Sequence, residues 1–217
     1  MEIRGSEGIG DRYIRSTFQS LVQAIIPSSL IIAKALGPVQ VPGALELKVY
    51  KYVMWVLDHS IALPAKMKIN LTSMTKSTVE LLDLGAVQLV QTAQNVYPLH
   101  INEFPDGGPF SKLSPVDRLR ALALLECCEW SLEKVSPPYQ NNPGLIPNMI
   151  DVINQLTLFG FYSEWTGYGT TEQFSPEMRR VEYFPTGWIL SHYPGPSFAY
   201  RDFRGFLAYM PNKKEKN

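Results

Sequence analysis

Five stretches of this chain repeat apolar side chains at helical spacing, and prolines and glycines crowd the ground between them. Spacing of i, i+3, i+4, i+7 gives a helix one apolar face, and that face has to be buried against another element. In the first stretch, residues 11–26, Ile14, Phe18, Leu21, Val22 and Ile25 share a face. Pro27 ends it, because proline lacks the N–H and clashes with the preceding turn. Residues 28–36 can add a short helix before the breaks at Gly37-Pro38 and Pro42-Gly43. The second stretch runs over 44–61 with Leu45, Val49, Tyr52, Val53, Val56 and Ser60 aligned, and Pro64 marks its end. Tyr50 and Trp55 lie off that stripe, so more than one side is expected to be covered.

The third helix has a cap at Thr72 or Ser73 and a stripe of Val79, Leu82, Ala86, Leu89, Val90 and Ala93. Gly85 inside it costs about 1 kcal/mol against Ala, which points to a close helix–helix approach. After the breaker run Pro105 to Pro109, Ser114-Pro115-Val116-Asp117 is a helix start, with Ser capping, Pro at the first position and Asp able to reach back. That fourth helix is expected to reach about Lys134, with Val116, Leu119, Ala123 and Trp130 on one side and Leu122, Leu125 and Cys128 on the adjoining one. Pro137-Pro138 closes it, and Asn148 to Phe159 reads as the fifth, stopped by Gly160. The fold class is therefore all-α, a bundle of about five helices in a single domain over 1–217.

Beyond Gly160 the composition changes. Fifteen of the 25 aromatic residues lie between Phe159 and Tyr209, among Gly, Pro and Ser, and no periodicity runs through them. Residues 161–210 thus form an irregular aromatic arm on the helical body of 11–160, with 211–217 as a frayed tail. A short strand at Trp188-Ile189-Leu190 is within reach of this composition, a sheet is not expected. The arm's segment from Gly187 to Phe206 is too apolar to float in water, so it must lie on its own body or on another chain. Arginine beside aromatics is what interface anchors look like, and Trp188, His192, Tyr193, Tyr200, Arg201 and Phe203 are the candidate interface residues.

Composition excludes several function classes. Acidic and basic residues balance at 20 each, so no net field draws nucleic acid or anionic lipid. The two cysteines, Cys127 and Cys128, are adjacent, which precludes a disulfide framework and supplies no zinc, iron–sulfur or haem spacing. No phosphate-cradling glycine loop is present. Residues 17–37 are apolar, but Gln23, Pro27, Ser28, Ser29 and Lys34 break them up, so no transmembrane helix and no signal peptide are read there. Of the three histidines, His59 suits a helix end and His100 has only Glu103 nearby in sequence. His192 is the best placed for chemistry; Ser191, His192 and Asp202 are triad residue types, yet they lack the nucleophile elbow.

The order of several segments carries a resemblance: TFQSLVQAIIP at 17–27, PGALELKVYKYV at 42–53, PFSKLSPVDRLRALALLE at 109–126, LTLFGFYSEW at 156–165 and GWILSHYPGPSFAYRDF at 187–203. Together, over about residues 15–205, they resemble the gluconate 2-dehydrogenase subunit 3 family, the small or gamma subunit of flavin-dependent, membrane-linked sugar and polyol dehydrogenases. The resemblance implies a non-catalytic accessory subunit with no redox cofactor of its own. Its expected partner is a large FAD-bearing subunit of the glucose–methanol–choline (GMC) type, whose folding, stability or export it assists, with a separate multihaem cytochrome as electron acceptor. Many members carry a twin-arginine signal, whereas Arg12 and Arg15 are separated here and Arg179-Arg180 lie far downstream. The expected location is accordingly cytoplasmic, or membrane-associated through a partner, and periplasmic only by co-export. Two rival readings of the residues are a stand-alone helical enzyme built on His192 with Tyr193, Tyr200 or Asp202, and a membrane-surface adaptor using the apolar face of residues 14–36.

Overall fold

A computed structural model describes residues 8–38, 41–61, 73–127, 135–140 and 142–195. These residues form seven helices, five of them substantial, and among them there is no strand. The helices are α1 (Ile9–Ile25), α2 (Leu30–Leu36), α3 (Val49–Val56), α4 (Met74–Gln91), α5 (Pro115–Cys127), α6 (Leu145–Tyr162) and the short α7 (Thr186–Leu190). The all-α expectation holds. The far end of the fourth helix with Cys128 and Trp130, the residues Tyr200, Arg201, Asp202 and Phe203, and the tail lie outside the described residues.

α1 is the centre of the bundle and packs on α3, α4, α5 and α6. Its predicted stripe is the right one, since Phe18, Leu21 and Val22 are fully buried. They meet Val49 and Val53 of α3, Leu82 and Leu89 of α4, Leu122 and Leu125 of α5, and Ile150 and Ile153 of α6 in one core. Gly85 makes the expected close approach: a Cβ there would sit 2.8 Å from Leu125 Cγ. Ser73 caps α4 by accepting the Lys76 N–H at 3.1 Å.

Three local readings are corrected. Residues 44–48 are a turn, not the start of the second helix, because the chain there is bound to the end of α1: Ala44 N–H donates to the Ile26 carbonyl at 2.9 Å, and Lys48 takes a left-handed φ of 55° before α3 begins. A π-helical turn, Leu57–Ile61, follows α3 and carries Asp58, whose carboxylate accepts from the backbone N–H groups of Met74 and Thr75 at the head of α4. On α5 the face of Val116, Leu119 and Ala123 is exposed, and the buried one is Asp117, Arg118, Ala121, Leu122 and Leu125. Leu122 and Leu125 of this face are those expected from the apolar pattern; Asp117 and Arg118, being charged, are not.

Both charges are paired. Ser114 caps α5 by accepting the Asp117 N–H at 3.1 Å. Instead of closing a reciprocal box, Asp117 accepts from the backbone N–H of Val96 at 2.8 Å and of Tyr97 at 3.0 Å, and so binds the loop after α4. Burial alone would raise its pKa, but these bonds and the one from Ser114 hold it below the usual carboxylate range. Arg118 is 0% exposed. Its Nη1 donates to the Ser20 carbonyl at 3.2 Å and to Gln23 Oε1 at 2.6 Å, and its Nη2 to the Ser111 carbonyl at 2.8 Å and Glu103 Oε2 at 3.4 Å. The Phe104 ring lies 5.1 Å from its Cζ. One side chain thereby joins α1, the 98–111 loop and α5.

Arg118→Met should destabilise the protein by about 3–5 kcal/mol, because the Glu103 carboxylate and two buried carbonyls lose their partner. Arg118→Lys should recover little of this, since an ammonium cannot span four acceptors on two sides. Urea unfolding of the three proteins checks both statements. Asp117 gives a pH test. Its folded pKa lies below the unfolded value of about 3.9, so its contribution is present above that pH and is lost as pH falls through the folded value. Asp117→Asn should cost roughly 1.5–3 kcal/mol at neutral pH and flatten the acid limb of the stability curve, leaving the part that belongs to Glu103.

Candidate functional site

The last described stretch is positioned by how α6 ends. Gly160 does not stop that helix, contrary to the sequence reading; it lies buried within it, where a Cβ would sit 2.7 Å from Tyr52 and 2.8 Å from Val49. The missing side chain lets α3 pack directly on α6, and the helix continues to Tyr162. Phe159 and Tyr162 are thereby carried out on its outer side, 60% and 48% exposed. Ser163 then caps a 3-10 turn, Glu164–Gly167, by accepting the Trp165 N–H at 3.3 Å. The chain makes an excursion and returns, with Glu182 and Tyr183 both donating N–H to the Gly167 carbonyl.

Trp188-Ile189-Leu190 belongs to α7, not to a strand. α7 rests on α6 through Gly187, whose Cβ would be 2.4 Å from the Phe161 carbonyl oxygen. Part of the arm therefore packs on its own body. Trp188 meets Phe184 edge-to-face at 5.6 Å and Tyr193 at 5.0 Å. His192 adopts φ 55° directly after Ser191, the C-cap of α7. Its N–H donates to the Ile189 carbonyl at 3.3 Å, and Tyr193 N–H to the Trp188 carbonyl at 2.9 Å. These two bonds are a Schellman closure, with histidine at the left-handed position where glycine is usual. The backbone at His192 is thus accounted for by helix termination.

Trp188, His192 and Tyr193 line a groove of about 590 Å³ with Phe159, Tyr162 and Glu164. A second groove of about 350 Å³ shares Phe159, Ser163 and Glu164 as a wall and continues over Tyr52, Trp55, Trp165, Tyr168 and Arg179. Tyr52 stacks on Phe159 at 5.8 Å and tilts against Trp165 at 5.1 Å. Tyr168 donates its hydroxyl to Glu164 Oε1 at 3.0 Å; burial and then the Glu164 charge push its pKa up to about 12. Arg179 lies over the Trp55 ring at 4.3 Å, a cation–π contact of about 0.5–2 kcal/mol depending on desolvation.

Among the described residues no hydrogen bond joins Ser191 to His192; the Ser191 hydroxyl points to the Trp188 carbonyl at 3.5 Å. His59 stacks on Trp55 at 5.1 Å with Nδ1 2.9 Å from that residue's carbonyl, a helix-end position as expected. His100 lies 3.5 Å from Glu103. No His, Cys, Asp and Glu cluster that could hold a metal occurs among the described residues. Three of the six candidate interface residues thus share one groove, and the other three fall outside the described chain. Trp55, Glu164, Trp165, Tyr168 and Arg179 were not singled out as site residues. Trp55 was marked only as lying off its stripe, and Arg179 had no local signal because the rings around it come from distant segments. Comparison with models of known families, with curated proteins and with solved structures finds no match to this chain.

The closure at His192 gives a test. His192→Gly should leave thermal stability unchanged or slightly raised, whereas His192→Val should lower it by roughly 1–2 kcal/mol, the cost of a left-handed backbone for a branched side chain. Calorimetry on the two variants decides it.

Proposed function

We propose that the chain is a non-catalytic accessory subunit that docks on a larger flavin-dependent dehydrogenase of the GMC type and supports its folding or assembly. The observation that carries the docking part is the paired aromatic groove, where Phe159, Tyr162 and Tyr193 remain substantially exposed, with Phe184 exposed behind Trp188. Contiguous apolar surface of this kind, rimmed by charged groups, is a feature of protein interfaces. The flavoprotein as partner, with FAD held there and a cytochrome further along, rests on the sequence resemblance alone.

A second reading has its own observation. Leu30, Ile31 and Ile32 of α2 are 71%, 82% and 47% exposed, consecutive on one short helix with Lys34 beside them. That favours contact of α2 with a membrane surface. Of residues 14–36, Phe18, Leu21 and Val22 are spent on the core, so α2 is the part free for such contact. No helix among the described residues is long and apolar enough to cross a membrane.

Co-expression of the tagged chain with an untagged flavoprotein encoded beside it should yield a complex with flavin absorbance after gel filtration. Elution of the chain alone under those conditions would reject the accessory-subunit reading, and flotation with liposomes, abolished by Ile31→Asp, would favour the second.

A further inference from the structure

Arg179 forms part of the second groove's wall and is half-buried there. Its guanidinium carbon lies 4.3 Å from the Trp55 ring centre, 5.1 Å from Trp165 and 5.8 Å from Tyr168. Nε donates to the Phe174 carbonyl at 3.0 Å, and Nη2 is buried with no hydrogen-bond partner. Other cations near the core have carboxylates: Lys51 has Glu172, Arg118 has Glu103, and Arg120 has Asp117. Among the described residues none pairs with Arg179. Glu164, on the shared wall, is engaged by the Tyr168 hydroxyl. The guanidinium is thus held in place by three rings and one backbone carbonyl, with no carboxylate at ion-pair distance among the described residues.

We propose that Arg179 is the anchor of this docking face and receives a carboxylate from a protein partner, presented by an Asp or Glu flanked by apolar side chains. A planar guanidinium already fixed by aromatic contacts loses little freedom on binding, and Nη1, the nitrogen neither bonded to Phe174 nor enclosed, is the donor it presents to a carboxylate. The surroundings specify the rest of the occupant. Phe159 and Tyr162 stand exposed beside the groove, and a free small anion would leave them uncovered, whereas the apolar neighbours of a partner's acid would cover them. Glu164 on the same wall repels any anion, a partner's carboxylate included, and weighs most against the multiply charged surface of a membrane or a nucleic-acid backbone. The inference rests on reading this groove as a docking face, and it holds whether or not the partner is a flavoprotein.

The probe is a blocked peptide, acetyl-Leu-Phe-Glu-Leu-Phe-amide, titrated into the labelled full chain beside its Gln counterpart and beside propionate. The indole N–H signals of Trp55 and Trp165 and the Nε–H signal of Arg179 should shift, saturating at about tenfold lower concentration for the Glu peptide than for the Gln peptide. Arg179→Gln should erase that preference with the circular dichroism unchanged, Arg179→Lys should restore only part of it, and Arg120→Gln should leave it intact. Equal response to Glu and Gln peptides, no response to either, or a preference that survives Arg179→Gln would overturn the proposal. Saturation by propionate as tight as by the peptide would overturn the protein partner in favour of a small carboxylate. A flavoprotein complex that forms equally well with Arg179→Gln would sink the anchor and leave the accessory reading standing. A Glu-peptide preference without any flavoprotein complex would do the reverse.

Discussion

A guanidinium inside the bundle is the constraint on which the rest depends. Removing an arginine from water is unfavourable unless most of its donors are filled, and at Arg118 both terminal nitrogens are bonded while Nε is left without a partner, so this residue dictates what must surround it. It requires two backbone carbonyls, from Ser20 in α1 and Ser111 before α5, and two side chains, Gln23 and Glu103, at fixed positions. The loop between α4 and α5 is therefore folded to a specification set by one residue of α5. Burial draws the Arg118 pKa down while Glu103 draws it back, and Glu103 in turn stays ionised because Gln23, Arg118 and His100 outweigh its own burial.

Aspartates extend the same logic across the molecule. Asp58 supplies acceptors to the head of α4, Asp117 to Val96 and Tyr97, and Asp83 to the Phe110 N–H that opens the turn before α5. Each carboxylate serves backbone groups remote in sequence: Asp58 and Asp83 where a helix or turn begins and N–H groups have no partner of their own, Asp117 in the loop that follows α4. At Asp83 burial raises the pKa in spite of the bonds from Tyr13 and Phe110. The bundle is assembled from apolar stripes, and these long-range caps fix where each stripe starts.

This explains what could be read from the sequence. The stripe of α1, that of α4 from Val79 to Leu89, the Ser73 and Ser114 caps and the meaning of Gly85 were legible, because each depends on residues within a few positions of one another; Val90 and Ala93, at the end of the α4 stripe, are exposed. Of the inner face of α5, Leu122 and Leu125 were legible and Asp117 and Arg118 were not, since they count as polar until their distant partners are known. Gly160 read as a stop for the same reason: whether glycine ends a helix or admits a neighbour is decided by Val49 and Tyr52, more than a hundred residues earlier. In the site, aromatic density marked the right region and His192 the right groove. The box around Arg179 is made of rings from two separate parts of the chain, and no local pattern encodes that.

Two of the closest contacts at the end of α6 are made by glycines, Gly160 toward α3 and Gly187 beneath α7. A side chain normally stands between a surface element and the layer below it and absorbs small displacements by changing rotamer. Here that cushion is absent from the glycine side of each contact. Backbone lies on backbone where Gly187 meets Phe161 and Tyr162, and the α6 backbone at Gly160 rests directly on the Tyr52 and Val49 side chains, so a load applied at Trp188 passes to α3 through one layer of side chains where two are usual.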